Sequence, residues 1–132
     1  MNKTVIIVTL TTLIIIIAGV FLVTKDSGNG GGNEPLPSPT SYEYYWGNGC
    51  PHCTNVESFL EGWDPPTGEA GKKVQITKYE VWNNTGNAKR MEQRATTCGI
   101  KPQNMGIPLL FTPDGKCYSG DQPIIDYFKS IK

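Results

Sequence analysis

Residues 42–63 read YEYYWGNGCPHCTNVESFLEGW, and the change of period inside this stretch decides the fold. Tyr42 to Trp46 is an aromatic run that reads as a buried strand, stopped by Gly47, Asn48 and Gly49. Beyond it Cys53, Val56, Phe59, Leu60 and Trp63 fall at helical spacing. Pro51 stands in the first helical turn, where its missing N–H costs no hydrogen bond. The stretch is thus strand, tight turn and helix, with Cys50 and Cys53 at the helix start.

Two cysteines separated by two residues at a helix start can close a disulfide with little backbone movement. Cys50 lies near unpaired backbone amides, whose partial positive charge stabilises a thiolate, and His52 adds a dipole or a positive charge beside the same sulfur. Cys53 shares the face of Val56 and Leu60 and is expected to point inward, which leaves Cys50 as the exposed, attacked sulfur. Half a zinc site is the competing reading of this spacing, but Cys98 and Cys117 are single and no second pair exists, so no metal is expected. A permanent structural disulfide would close almost no loop and gain little by chain entropy.

Working outward, residues 62–73 read as loop and residues 74–82 (VQITKYEVW) as a second strand. Ala88, Met91, Ala95 and Cys98 form the apolar stripe of a second helix, with Lys89, Arg90, Glu92 and Arg94 outside it and Gly99 and Pro102 ending it. Residues 107–111 and 116–118 make a hairpin around Pro113, Asp114 and Gly115. Asp121 is expected to cap a last helix carrying Ile124, Tyr127, Phe128 and Ile131 on one face. The order β-α-β-α-β-β-α predicts an α/β fold with a mixed four-stranded sheet between helices on both faces.

Residues 5–23 (VIIVTLTTLIIIIAGVFLV) carry no charge and, at 1.5 Å rise, make a helix of about 28 Å, close to the ~30 Å hydrocarbon thickness of a bilayer. A cleavable signal peptide is the alternative; its apolar region is shorter and ends in a small-residue site, whereas this run ends Phe21, Leu22, Val23. The expected organisation is an N-terminal transmembrane anchor over 1–25, a Gly/Pro/Ser-rich linker over 26–41 and a folded domain over 42–132. Lys3 and the α-amino group keep the N-terminus in the cytoplasm by the positive-inside rule, so the domain is expected on the extracytoplasmic side of a single-pass membrane protein. Lys+Arg and Asp+Glu are both 12, which leaves no excess positive charge to hold nucleic acid.

The chain resembles the thioredoxin-fold thiol-disulfide oxidoreductases, and the dipeptide between its cysteines, Pro51 and His52, is that of the DsbA-like oxidases. The likeness spans residues 42–132. It rests on Trp46 four residues before Cys50, on the Cys50, Pro51, His52, Cys53 motif, on Met105, Gly106, Ile107, Pro108 before a hairpin, and on Gly120 before the last helix. The resemblance implies a thioredoxin-like three-layer α/β/α domain in which Cys50 and Cys53 are catalytic and Pro51 and His52 tune the thiol pKa. It further implies that Trp46, Ile107 and Pro108 contact substrate, with Pro108 cis against the disulfide and the backbone of Ile107 free to pair with an extended chain. Two departures stand out. The position where relatives carry a buried acid is Tyr44, with Glu43 beside it, and the chain has no room for the helical insertion of DsbA-like oxidases. Lys101 and Gln103 are the only nearby candidates for a glutathione site, and they make a weak one.

The expected function is a membrane-anchored thiol-disulfide oxidoreductase acting on protein thiols, in the oxidase direction because His52 favours the dithiol. Reduction of extracytoplasmic disulfides is the alternative, and a soft-metal or peptide-binding module using the same site is the reading from another class. Expected partners are proteins with thiols or disulfides and a membrane-embedded redox protein; no cofactor is needed and a monomer suffices. Outside the cytoplasm a structural bridge between Cys98 and Cys117 is favoured over a buried free Cys98. The sequon at Asn83 reads as chance, and Trp63 and Trp82 as core or rim residues.

Overall fold

A computed structural model of the chain describes residues 35–67 and 73–131. The expected membrane segment over 5–23 and most of the linker lie outside the described residues, among which no helix is long and apolar enough to cross a membrane. The elements run β1 (Tyr42–Trp46), α1 (Pro51–Gly62), β2 (Ile76–Glu80), α2 (Thr85–Thr97), a short 3-10 helix (Pro102–Asn104), β3 (Leu109–Phe111), β4 (Cys117–Ser119) and α3 (Asp121–Ser130). The sheet order is β2-β1-β3-β4, with β1 and β2 parallel and both other pairings antiparallel.

Alternation along the two central strands divides the core. Tyr44 and Leu110, paired across β1 and β3, pack with Val56 of α1 and Ile124 and Phe128 of α3 on one face. Tyr45, Leu109 and Phe111 turn the other way and pack with Val81 and with Ala95 of α2. Each fully buried Val, Leu, Ile or Phe is worth about 1.5–3 kcal/mol. Both layers are therefore needed to hold the short sheet, and the mixed sheet with helices on both faces fits a thioredoxin-like fold.

Three expectations are corrected. Arg94 does not lie outside the stripe of α2 but is buried, as is Glu43 on β1. Arg94 Nε donates to Glu43 Oε2 at 2.8 Å, Arg90 Nη2 to Oε1 at 2.5 Å and Tyr45 Oη to Oε2 at 2.7 Å, so the buried charge is paired and fully bonded. Arg94 also donates to the carbonyls of Leu36 and Pro37, so ordered contacts reach back before Tyr42. Asp121 does not cap α3: Gly120, at φ 92°, is the N-cap, and the Asp121 carboxylate turns to α1 instead. The second strand is shorter than residues 74–82, although Val81 N–H still donates to Trp46 O at 2.9 Å.

Candidate functional site

β1 ends at Trp46, and the turn through Asn48 and Gly49 closes with Cys50 N–H donating to Gly47 O at 3.1 Å. Gly49, at φ 83°, takes the left-handed conformation that a side chain would strain. Cys50 is the N-cap of α1, Pro51 follows in its first turn, and the Cys53 amide donates to Cys50 Sγ at 3.1 Å. Thr54 closes the cap by donating its N–H and its hydroxyl to Cys50 O. Cys50 and Cys53 are joined by a disulfide with Cα atoms 5.2 Å apart. Cys53 is 2% exposed as its helical face requires, but Cys50 is itself only 5% exposed, because its sulfur is folded back over the helix start. The expectation of an openly exposed Cys50 is corrected in this respect.

His52 is on the surface, and its Nδ1 lies 3.1 Å from Asp121 Oδ2. Asn55 donates to the same oxygen at 2.6 Å. Hydrogen bonds from Asn55 and then His52 hold the Asp121 carboxyl down to about 2. The first turns of α1 and α3 are thus pinned to one carboxylate beside the disulfide.

The Ile107–Pro108 peptide is cis, and Pro108 is buried at the start of β3 with its carbonyl accepting from Gly120 N–H at 2.9 Å. Ile107 reaches the turn that carries Cys50: a Cβ on Gly47 would lie 2.7 Å from Ile107 Cδ1 and 2.5 Å from Trp82 Cδ2. Only glycine leaves room there for the two side chains to close over the loop. Trp46 packs toward the α1 and α3 layer. Lys101 and Gln103 are exposed around the 3-10 helix. Cys98 and Cys117 form a second disulfide, with Cα atoms 6.1 Å apart, between the end of α2 and β4.

Sequence reasoning left Trp82 as a core or rim residue and Glu80 as a strand residue, and placed neither at the site. Trp82 is 58% exposed and is the one large apolar side chain so exposed among the described residues. Its loop is held by the Glu80 carboxylate, which accepts from the amides of Trp82 at 3.0 Å, Asn83 at 2.9 Å and Asn48 at 3.4 Å. Partial desolvation works against the charge, but these amides hold the Glu80 carboxyl below its ordinary value. Glu80 therefore ties the Trp82 loop to the turn before Cys50. No protein-family model matches the chain, and neither a curated protein nor a solved structure matches it.

Proposed function

We propose that the chain is a membrane-anchored thiol-disulfide oxidoreductase that exchanges disulfides with protein thiols on the extracytoplasmic side, in the oxidase direction. The observation that carries this reading is the Cys50–Cys53 disulfide at the N-terminus of α1, with the Cys53 amide donated to Cys50 Sγ. That amide and the helix dipole favour negative charge on Cys50 once the bond is broken, which stabilises the dithiol and makes the disulfide an oxidant.

A substrate thiolate attacks Cys50 Sγ, and the Cys50–Cys53 bond breaks with its electron pair on Cys53. The substrate's second thiolate then attacks the substrate sulfur of the mixed disulfide and releases Cys50 as thiolate. The substrate has lost two electrons to a new disulfide, and the chain holds two thiols. A disulfide or quinone-linked redox partner in the membrane takes those electrons and restores the bond. In this reading residues 1–25 anchor the chain, residues 26–41 are its tether, and Ile107, Pro108 and Trp46 meet the substrate backbone.

Equilibration of the full-length chain with mixtures of reduced and oxidised glutathione, followed by thiol alkylation, tests the reading. A Cys50–Cys53 midpoint more oxidising than about −200 mV supports oxidation of substrates, and one near the ~−270 mV of a thioredoxin supports reduction. Failure of the pair to open without loss of the fold contradicts both.

A further inference from the structure

A lone exposed apolar side chain needs no explanation, but Trp82 is exposed and held in place at once. Its loop is tied down from several sides. The Glu80 carboxylate accepts from the Trp82 and Asn83 amides and from Asn83 Nδ2, and it reaches the Asn48 amide in the turn before Cys50. Asn87 Nδ2 donates to Glu80 O at 2.9 Å, and the Asn84 side chain accepts from Asn87 N–H as α2 begins. Bonds to a charged acceptor are roughly twice as strong as neutral ones, so the indole is presented on a fixed loop. An aromatic side chain that is ordered before binding loses little entropy on contact, which is what makes such residues anchors at interfaces.

Gly47 sets where the ring lies. A Cβ there would come 2.5 Å from Trp82 Cδ2, 2.7 Å from Trp82 Cε2 and 2.7 Å from Ile107 Cδ1. Cδ2 and Cε2 form the bond shared by the two indole rings, so the indole rests against the Gly47 backbone with Ile107 alongside. Gly47 O in turn accepts from Cys50 N–H, closing a turn whose two ends stand within about 7 Å of each other. Trp82 and Ile107 therefore make an apolar strip that begins one turn's width from the Cys50–Cys53 disulfide. Trp46 packs into the α1 and α3 layer and Ile107 into the α2 layer, so the indole open on this side of the site is that of Trp82.

The chemistry of the strip names what it takes. The Glu80 oxygens are already occupied by amide donors and offer little to a substrate cation, and the ring's neighbour is the aliphatic Ile107. Such a surface fits an aromatic or large aliphatic side chain, packed offset or edge-on against the indole. An extended chain rises ~3.4 Å per residue with alternate side chains on one face, so a side chain two positions from a cysteine stands about 7 Å from it, the width of the turn between Cys50 and Gly47. We infer that Trp82, with Ile107, binds an aromatic or large aliphatic side chain two positions from the reactive cysteine of an extended protein substrate; this rests on the redox reading of Cys50 and Cys53. Trp82 touches neither reacting sulfur. It selects among thiols by the chain around them, and it gives a small thiol with no such side chain nothing to hold.

The test uses the full-length chain carrying Cys53→Ala, with the Cys98–Cys117 bridge intact, so that Cys50 is its one free thiol. It is offered peptides whose single cysteine is joined to thiopyridine, with Phe, Ala or Lys two positions before or after that cysteine. The Cys50 thiolate attacks the peptide sulfur, and the bond to thiopyridine breaks with its electron pair on the leaving sulfur, released as thiopyridone and followed by absorbance. Each rate is divided by the rate with dithiodipyridine, which carries no chain to lie on the indole. The Phe peptide should react about tenfold faster than the Ala peptide, equivalent to about 1.4 kcal/mol. Trp82→Ala should abolish that preference. Glu80→Ala, which keeps the indole but frees its loop, should reduce it, and this variant decides the matter if Trp82→Ala does not fold. Equal rates for the Phe and Ala peptides in the parent, a Lys peptide faster than the Phe peptide, or a preference that survives Trp82→Ala or is unmoved by Glu80→Ala overturns the inference. So does a dimer that Trp82→Ala converts to a monomer, since a second copy then covers the ring. A parent whose Cys50 releases no thiopyridone from any of these reagents overturns the redox reading itself, a failure visible before any Trp82 variant is compared.

Discussion

Glu43 is 1% exposed yet charged, and the donors around it explain why it stays so. Burial pushes its carboxyl up, but hydrogen bonds from Arg94, Arg90 and Tyr45 outweigh that and leave it below the ordinary 4.5. A carboxyl depressed in the folded state contributes stability that is complete above the ordinary carboxylate range and is lost as pH falls through the folded value. Glu43→Gln leaves Arg94 buried without its counter-charge, so chemical denaturation should show a loss of about 3–5 kcal/mol at neutral pH. The variant should also lack part of the acid unfolding limb seen in the parent. Equal stability of the two at neutral pH would contradict the pairing. None of this was legible in the sequence, because helical periodicity counts Arg94 as a solvated residue and cannot see a partner 51 positions away. Trp82, read as core or rim, lies at the rim: a Cβ on Gly47 would come 2.5 Å from its ring, and the indole is 58% exposed. By contrast Cys50, Pro51 and Cys53 were legible, since the switch from strand to helix at a glycine turn dictates where each must sit.

At the scale of elements, the order and type of every strand and long helix followed from period and turn chemistry. An aromatic run stopped by a glycine turn marked β1, branched and aromatic residues marked β2, and Gly99 with Pro102 closed α2. The short 3-10 helix and the capping of α3 did not follow. The pattern at Asp121 satisfies the capping rule equally well whether its carboxylate turns to its own helix or, as here, to Asn55 and His52. The second disulfide ties the C-cap of α2 to β4 across 19 positions, at the point where Cys98 N–H donates to Arg94 O and the buried cation is held. A loop of that length gives about 3 kcal/mol by chain entropy. Replacing Cys98 and Cys117 together by Ala should therefore lower unfolding stability by about 3 kcal/mol. The Cys50–Cys53 pair should still open and close in glutathione buffers. A double variant as stable as the parent would make that bridge ornamental, and one with no exchange at Cys50 and Cys53 would tie the bridge to the site.

For the molecule as a whole, the sheet sets two layers of core around β1 and β3 and brings the loops after β1 and β2 and the segment before β3 together around Gly47. The site is thereby built from residues as far apart as His52 and Asp121, 69 positions, and beyond the Cys50–Cys53 stretch no local pattern reveals which distant residues join it. The proposed tethering rests on the uncharged run of residues 5–23 and the linker of residues 26–41. Protease added to cells stripped of any outer barrier should cut the tether and release a soluble fragment carrying both disulfides, and protection until the membrane is lysed would reverse the topology. The central claim is that Cys50 is the sulfur joined to substrate and Cys53 the one that resolves it. Its most direct test offers a disulfide-bonded protein to the reduced full-length chain in two forms, Cys53→Ala and Cys50→Ala, and maps any covalent complex by peptide mass. The account predicts a stable mixed disulfide through Cys50 in the first form and little or none in the second. Equal trapping through Cys53, or no complex with either form, would contradict it.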